Sequence, residues 1–179
     1  MLRADDTVLA VVDVQGKLAQ MMYNKQSLFA NLQKIIKGAR TLGIPVLWAE
    51  QNPEGLGRTV PEIADLLSGC QPISKLSFSC CGSDPFVRAL RDLGRKQVVI
   101  AGIEAHVCVF QTGVDLLDMG FEVHVVADAV SSRTVENRQV GLERVREAGA
   151  SVTSTEMALF EILKVAGGDK FREILRIVK

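Results

Sequence analysis

The stretch Gln97-Val-Val-Ile-Ala-Gly-Ile103, running on through Glu104-Ala-His-Val-Cys108-Val, decides how this chain folds. An apolar, β-branched run without polar alternation suits a strand covered on both faces in a parallel sheet. His106 to Met119 then reads as a helix and Glu122 to Val130 as another apolar strand. Strand, helix, strand is the unit from which parallel sheets are built. Downstream, Thr134 to Ala148 continues as a helix and Ser151 to Ser154 as a short last strand before helical turns.

The same grammar extends upstream. Thr7-Val-Leu-Ala-Val-Val-Asp-Val14 is a first buried strand, closed by Asp13. Ser27 to Leu42 places Leu28, Phe29, Leu32, Ile35, Ile36 and Ala39 at helical spacing, and Gly43 with Pro45 stops the pattern. Pro45-Val-Leu-Trp-Ala49 is the second strand, followed by a polar loop from Gln51 to Thr59. Val60 to Leu67 reads as a short helix with proline in its first turn, and an extended piece ends near Lys75. Asp84 to Leu93 repeats the cap-then-proline signature and closes at Gly94. The expected fold is a three-layer α/β/α sandwich around a mainly parallel, Rossmann-like sheet with right-handed crossovers. No linker, internal repeat or low-complexity segment interrupts it, so residues 1–179 are expected to form one domain.

Composition narrows the partners. Lysine plus arginine and aspartate plus glutamate stand at 21 each, which argues against a nucleic-acid groove or an anionic membrane surface and for a small-molecule substrate. No leader pattern or bilayer-length apolar run is present, so a cytoplasmic protein is expected. Cys70, Cys80, Cys81 and Cys108, with His106 and His124, show no zinc-binding spacing, and reduced thiols are the default. Cys80-Cys81 as a redox pair is disfavoured by the strain of a vicinal disulfide.

In open parallel sheets, ligands sit beyond the carboxyl ends of the strands. Asp13, Glu50 with Gln51, Ile103 and Asp128 fall at or near such ends. Cys108, at a strand-to-helix corner, is expected to be more acidic than a free thiol, because N–H groups at a helix start favour negative charge. Its bland alternative is a small buried apolar residue. Asp13 can act as a base or merely cap the following loop, and Lys75 can be a desolvated cation or an ordinary solvated lysine. The argument rests on the combination: a base, a supporting charge and an attacking atom.

With these residues the chain resembles the isochorismatase-like cysteine hydrolase superfamily. Val11-Val-Asp13-Val-Gln15 is similar to its first-strand aspartate motif, Lys75-Leu-Ser-Phe-Ser79 to its lysine motif, and Gly102-Ile-Glu-Ala-His-Val-Cys108-Val-Phe-Gln-Thr112 to its nucleophile motif. The loop Glu50 to Gly57 looks closest to the branch of isochorismatase domain-containing proteins. The resemblance implies Cys108 as nucleophile, Asp13 as general base and Lys75 as electrostatic partner. It also implies a cis peptide between Ile103 and Glu104, with the backbone N–H groups of Glu104 and Cys108 as an oxyanion hole. Nicotinamidases of this superfamily carry an aspartate and histidines after the second strand that bind a metal. Here Glu50, Gln51 and Asn52 stand there, with no histidine before His106, so no metal or other cofactor is expected. Isochorismatases that cleave a vinyl ether lack the cysteine, so Cys108 points to a C–N bond.

Gln15, Trp48, Gln51, Asn52 and Phe78 are the expected substrate-binding residues. Trp48 and Phe78 have core packing as their alternative. His106 is expected to pack or cap, because it projects away from a neighbour two residues on, and His124 to lie in the core. The expected function is metal-independent hydrolysis of a small amide or related C–N substrate through a thioester. The alternative is a catalytically idle, oligomeric interaction protein on the same fold, and the resemblance implies a homo-oligomer in either case. Nucleotide binding falls behind, because Asp13-Val-Gln-Gly-Lys-Leu18 has no glycine-rich phosphate turn.

Overall fold

The computed structural model describes residues 1–179. Six parallel strands form one sheet: β1 (Thr7–Val12), β2 (Val46–Gln51), β3 (Pro72–Lys75), β4 (Gln97–Ile103), β5 (Glu122–Ser131) and β6 (Ser151–Thr153). Their spatial order is β3-β2-β1-β4-β5-β6, so the chain reverses direction across the sheet between β1 and β4. A crevice opens at such a reversal, at the carboxyl ends of the two central strands.

Alternate residues of β1 explain the layering. Leu9 and Val11 face a core built with α2 (Lys25–Leu42), α8 (Thr155–Leu163) and α9 (Gly168–Val178). Val8, Ala10 and Val12 face a second core with α5 (Asp84–Asp92), α6 (Phe110–Asp118) and α7 (Val135–Glu147). Both faces of the strand are therefore dry, which is why its sequence lacks polar alternation. Gly43 ends α2 at φ 74°, as expected, and the Thr134 hydroxyl accepts from Asn137 N–H at the start of α7, whereas at α5 Asp84, expected as the cap, is the first helical residue and Ser83 holds the cap position.

Two features depart from the sequence reading. The segment after β2, expected as a loop, carries the one-turn helix α3 (Pro53–Leu56), and α1 (Gly16–Gln20) follows β1. Helices this short bury no periodic face, so hydrophobic spacing does not announce them. The helix expected from His106 begins instead with a wide π turn over Ala105–Val109 before α6. The Glu104 carbonyl accepts from both Val107 N–H (3.0 Å) and Val109 N–H (3.2 Å), which widens the turn. α4 (Pro61–Ala64) matches the short proline-led helix. No helix is long and apolar enough to cross a membrane.

His124 lies buried within β5, as its strand position predicted, and burial holds its imidazole pKa below the usual value. The unfolded chain takes up a proton near pH 6.5 that the folded state resists, so His124 contributes stability above that pH and loses it as pH falls. The urea midpoint is expected to drop between pH 7.5 and pH 5.5, with a smaller drop in His124→Gln. Equal drops in the two proteins would remove this role.

Candidate active site

Parallel register brings the candidate residues together. Gln51 and Lys75 are paired neighbours at the ends of β2 and β3, and Asp13 follows the end of β1, its N–H bonded to Ala49 O. Cys108 enters from the far side, on the π turn after β4. The Ile103–Glu104 peptide bond that leads into this turn is cis. Gly141 on α7 lets the turn pack closely: a Cβ there would sit 2.6 Å from the Ala105 carbonyl carbon.

Lys75 Nζ lies 2.7 Å from Asp13 Oδ2, 2.8 Å from Gln51 Oε1, 2.9 Å from Phe78 O and 3.1 Å from Ser77 O. Both members of the Asp13–Lys75 pair are almost wholly buried. Asp13 Oδ1 is the one buried side-chain nitrogen or oxygen in the molecule without a hydrogen-bond partner. An orphaned carboxylate oxygen in a dry site is costly unless a donor arrives there. Asp13 and Cys108 line one cavity of about 90 Å³, together with Gln51, Glu104 and the apolar side chains of Leu18, Leu56, Phe78, Ile103 and Val107. The Cys108 sulfur lies 3.9 Å from Gln51 Oε1.

The electrostatics correct one expectation. Burial, followed by the charge of Asp13, pushes the Cys108 thiol up to about 12, while Lys75 pulls it down. A helix start was expected to make this thiol acidic, but desolvation and a nearby carboxylate outweigh it. Burial also raises the Asp13 pKa, against the opposing pull of Lys75. Near neutral pH the thiol therefore keeps its proton.

The isochorismatase domain model matches residues 7–157. The chain belongs to the isochorismatase family. Over 178 residues this isochorismatase-family chain is 36% identical to isochorismatase domain-containing protein 2 of Danio rerio, covering 99% of this chain and 89% of that protein. MAR1 ribonuclease from Caenorhabditis elegans matches its fold with a TM-score of 0.93 at 35% identity, over 99% of this chain and 91% of that one. YcaC from Pseudomonas aeruginosa, described with hexane-2,5-diol and covalent acrylamide, gives a TM-score of 0.93 at 25% identity, over 98% and 90%. The three-layer α/β architecture expected from sequence is thus the family's architecture, and it is a hydrolase fold.

Within this family member, the structure sorts the expected substrate-binding residues. Gln51 and Phe78 line the cavity, Phe78 with 55% of its surface exposed. Gln15 is fully buried and spends its amide on backbone: it donates to Gln51 O (3.0 Å) and Gly57 O (2.7 Å) and accepts from Gln51 N–H (2.6 Å). It clamps the segment after β2 and is not placed to read a ligand. Trp48 is also not brought to the cavity, because it packs against the α2 core and donates to Thr59 Oγ1 at 2.7 Å. Asn52 borders a neighbouring groove with Pro53, Glu54, Ser74, Lys75 and Leu76, not the cavity that holds the thiol. Strand alternation explains the sorting, since Trp48 leaves β2 on the face that Gln51 does not.

Glu50 is buried and held by Thr59 N–H (2.8 Å), Thr59 Oγ1 (2.9 Å) and Arg58 (3.0 Å), so it anchors the loop. Asp128 accepts from Thr155 N–H and hydroxyl at the start of α8. His106 Nδ1 is hydrogen-bonded with Ser132 Oγ at 2.9 Å, a packing role as expected. Sequence reasoning missed Leu18, Leu56 and Val107 as cavity walls. Leu18 and Leu56 come from the one-turn helices, which carry no periodic signal. No group of three histidine, cysteine, aspartate or glutamate side chains is arranged to hold a metal ion.

Proposed function

We propose that the chain, acting as one domain over residues 1–179, is a metal-independent cysteine hydrolase that cleaves a small amide or related C–N bond through a thioester on Cys108. The observation that carries this reading is the unpartnered Asp13 Oδ1, buried at the cavity that holds the Cys108 thiol while Lys75 occupies the other oxygen. A carboxylate held in this way is poised to accept one proton at one atom.

As the Cys108 sulfur attacks the substrate carbonyl carbon, the thiol proton passes to Asp13 Oδ1. A thiol at about 12 is not a standing thiolate, so proton removal accompanies attack. The carbonyl oxygen gains negative charge and takes hydrogen bonds from the N–H groups of Glu104 and Cys108; each donor of this kind is worth about 3 kcal/mol of barrier. Collapse breaks the C–N bond, Asp13 returns the proton to the leaving nitrogen, and an amine or ammonia departs. Water then attacks the thioester carbon, giving its proton to Asp13. The C–S bond breaks, Asp13 returns the proton to sulfur, and the acid leaves. Lys75 keeps the Asp13 charge tolerable in a dry site throughout, with Gln51 Oε1, Ser77 O and Phe78 O fixing its ammonium.

A cavity of about 90 Å³ and a balanced net charge support a small-molecule substrate and not a polynucleotide, although three similar proteins are described as MAR1 ribonucleases. Assembly into a homo-oligomer belongs to the same reading; Leu76, 80% exposed beside Lys75, supports it, and sedimentation velocity measures it.

The test is a panel of small amides, ureas and carbamates, read by product formation and by intact mass. The expected result is turnover with a transient acyl mass on Cys108, and neither in Cys108→Ala. Turnover surviving in Cys108→Ala would end the proposal. An inert protein across the panel would favour the idle interaction protein.

A further inference from the structure

Asp13, Gln51 and Glu104 supply the polar side chains of the cavity apart from the thiol itself, and what they offer is hydrogen-bond acceptors. Asp13 Oδ1 has no partner. The orientation of the Gln51 amide is set from outside the cavity: Nε2 donates to Leu76 O at 2.7 Å and Oε1 accepts from Lys75 at 2.8 Å. The oxygen therefore faces the sulfur, whose S–H donates to it at 3.9 Å. Glu104, 8% exposed, is fixed by Arg133, whose backbone N–H and Nε both donate to Oε1 at 3.1 Å.

The nearby cations are already committed. Lys75 faces four acceptors with three N–H bonds to give. Arg133 does not line the cavity, and its side chain is half exposed on the far side of Glu104. A carboxylate entering the cavity would meet two carboxylates and a carbonyl oxygen, with no free cation among the lining side chains. An N–H-bearing group would meet acceptors, of which Asp13 Oδ1 has no donor and Gln51 Oε1 has only the long contact from the thiol beside its bond to Lys75.

We infer that this site selects by charge: it admits small, N–H-rich, uncharged or cationic substrates and excludes those carrying a carboxylate beside the reacting carbon, with Glu104 and Gln51 as the residues that read the difference. The inference deepens the hydrolase reading and rests on Cys108 as the reacting atom.

Iodoacetamide and iodoacetate test it, because they present the same reactive carbon and similar size but differ in charge. Rates of Cys108 alkylation by each are measured on the full chain at one pH by peptide mass mapping. The amide-to-acid rate ratio is then compared with that of 2-mercaptoethanol, an uncharged free thiol. The ratio at Cys108 is expected to exceed the free-thiol ratio by at least about tenfold, the scale of like-charge repulsion in a partly desolvated site. Glu104→Gln is expected to lower it by at least about threefold. A wild-type ratio equal to that of 2-mercaptoethanol overturns the inference, and so does an unchanged ratio in Glu104→Gln. The readout is alkylation and not turnover, so its failure is separate from that of the hydrolase proposal: a protein that turns over amides yet shows no charge preference refutes only this inference.

Discussion

Asp13→Asn is expected to abolish turnover while making Cys108 easier to ionise, two effects of opposite sign from one substitution. Asparagine keeps an oxygen for Lys75 but cannot take a proton, and removing a general base costs about 10²–10⁴ in rate. The thiol responds the other way. Burial is the first cause of its raised pKa and the Asp13 charge the second, whereas Lys75 lowers it. Deleting the negative charge and keeping the positive one moves the thiol down from about 12. The midpoint of Cys108 alkylation against pH should therefore fall in Asp13→Asn while kcat/KM collapses. General damage to the site would not produce that pairing. A midpoint that stays or rises, or turnover within about threefold of wild type, would show that Asp13 is not the proton acceptor.

Gly102→Ala is expected to be the most damaging single substitution on the strand that leads to Cys108. Gly102 has φ +121°, where a side chain is strained, and its register partner on β1 is Val12. A Cβ there would lie 2.1 Å from the Val12 carbonyl oxygen and 2.7 Å from its nitrogen, and backbone in the middle of a sheet has nowhere to move. Conformational strain of about 1–2 kcal/mol and overpacking of about 1–3 kcal/mol add to about 2–5 kcal/mol. For a chain of this size that is roughly 5–20 °C in Tm. Gly94→Ala is the control: φ is +63°, but nothing lies within 4 Å of the added carbon, so only the strain remains. Thermal melts of the two variants separate the causes. Equal losses would mean that the contact with Val12 relaxes freely.

Much of this was legible beforehand because buried parallel strands announce themselves. The runs at residues 7–12 and 97–103 are apolar without alternation since both faces are covered, and the helices between them carry period and caps. Asp13, Lys75 and Cys108 were also marked as candidates, by strand ends and motif spacing. Gln15 and Trp48 were misread for one reason: sequence gives a residue's place along a strand but not what its side chain meets. Gln15 meets the backbone of the segment after β2, and Trp48 leaves β2 on the face opposite the cavity.

The amino-acid sequence by itself determined the order of the strands and longer helices and the layered sandwich, and it marked an acid, a cation and a thiol as candidates. These follow from local period, capping and residue type, which act over a few residues. Only the tertiary structure decided that Asp13 keeps one oxygen without a partner, that Gln51 presents its carbonyl to the sulfur, and that the thiol holds its proton. Burial and Coulomb interaction depend on what lies within a few ångströms in space, and residues 13, 51, 75 and 108 become neighbours only when four parallel strands align their carboxyl ends.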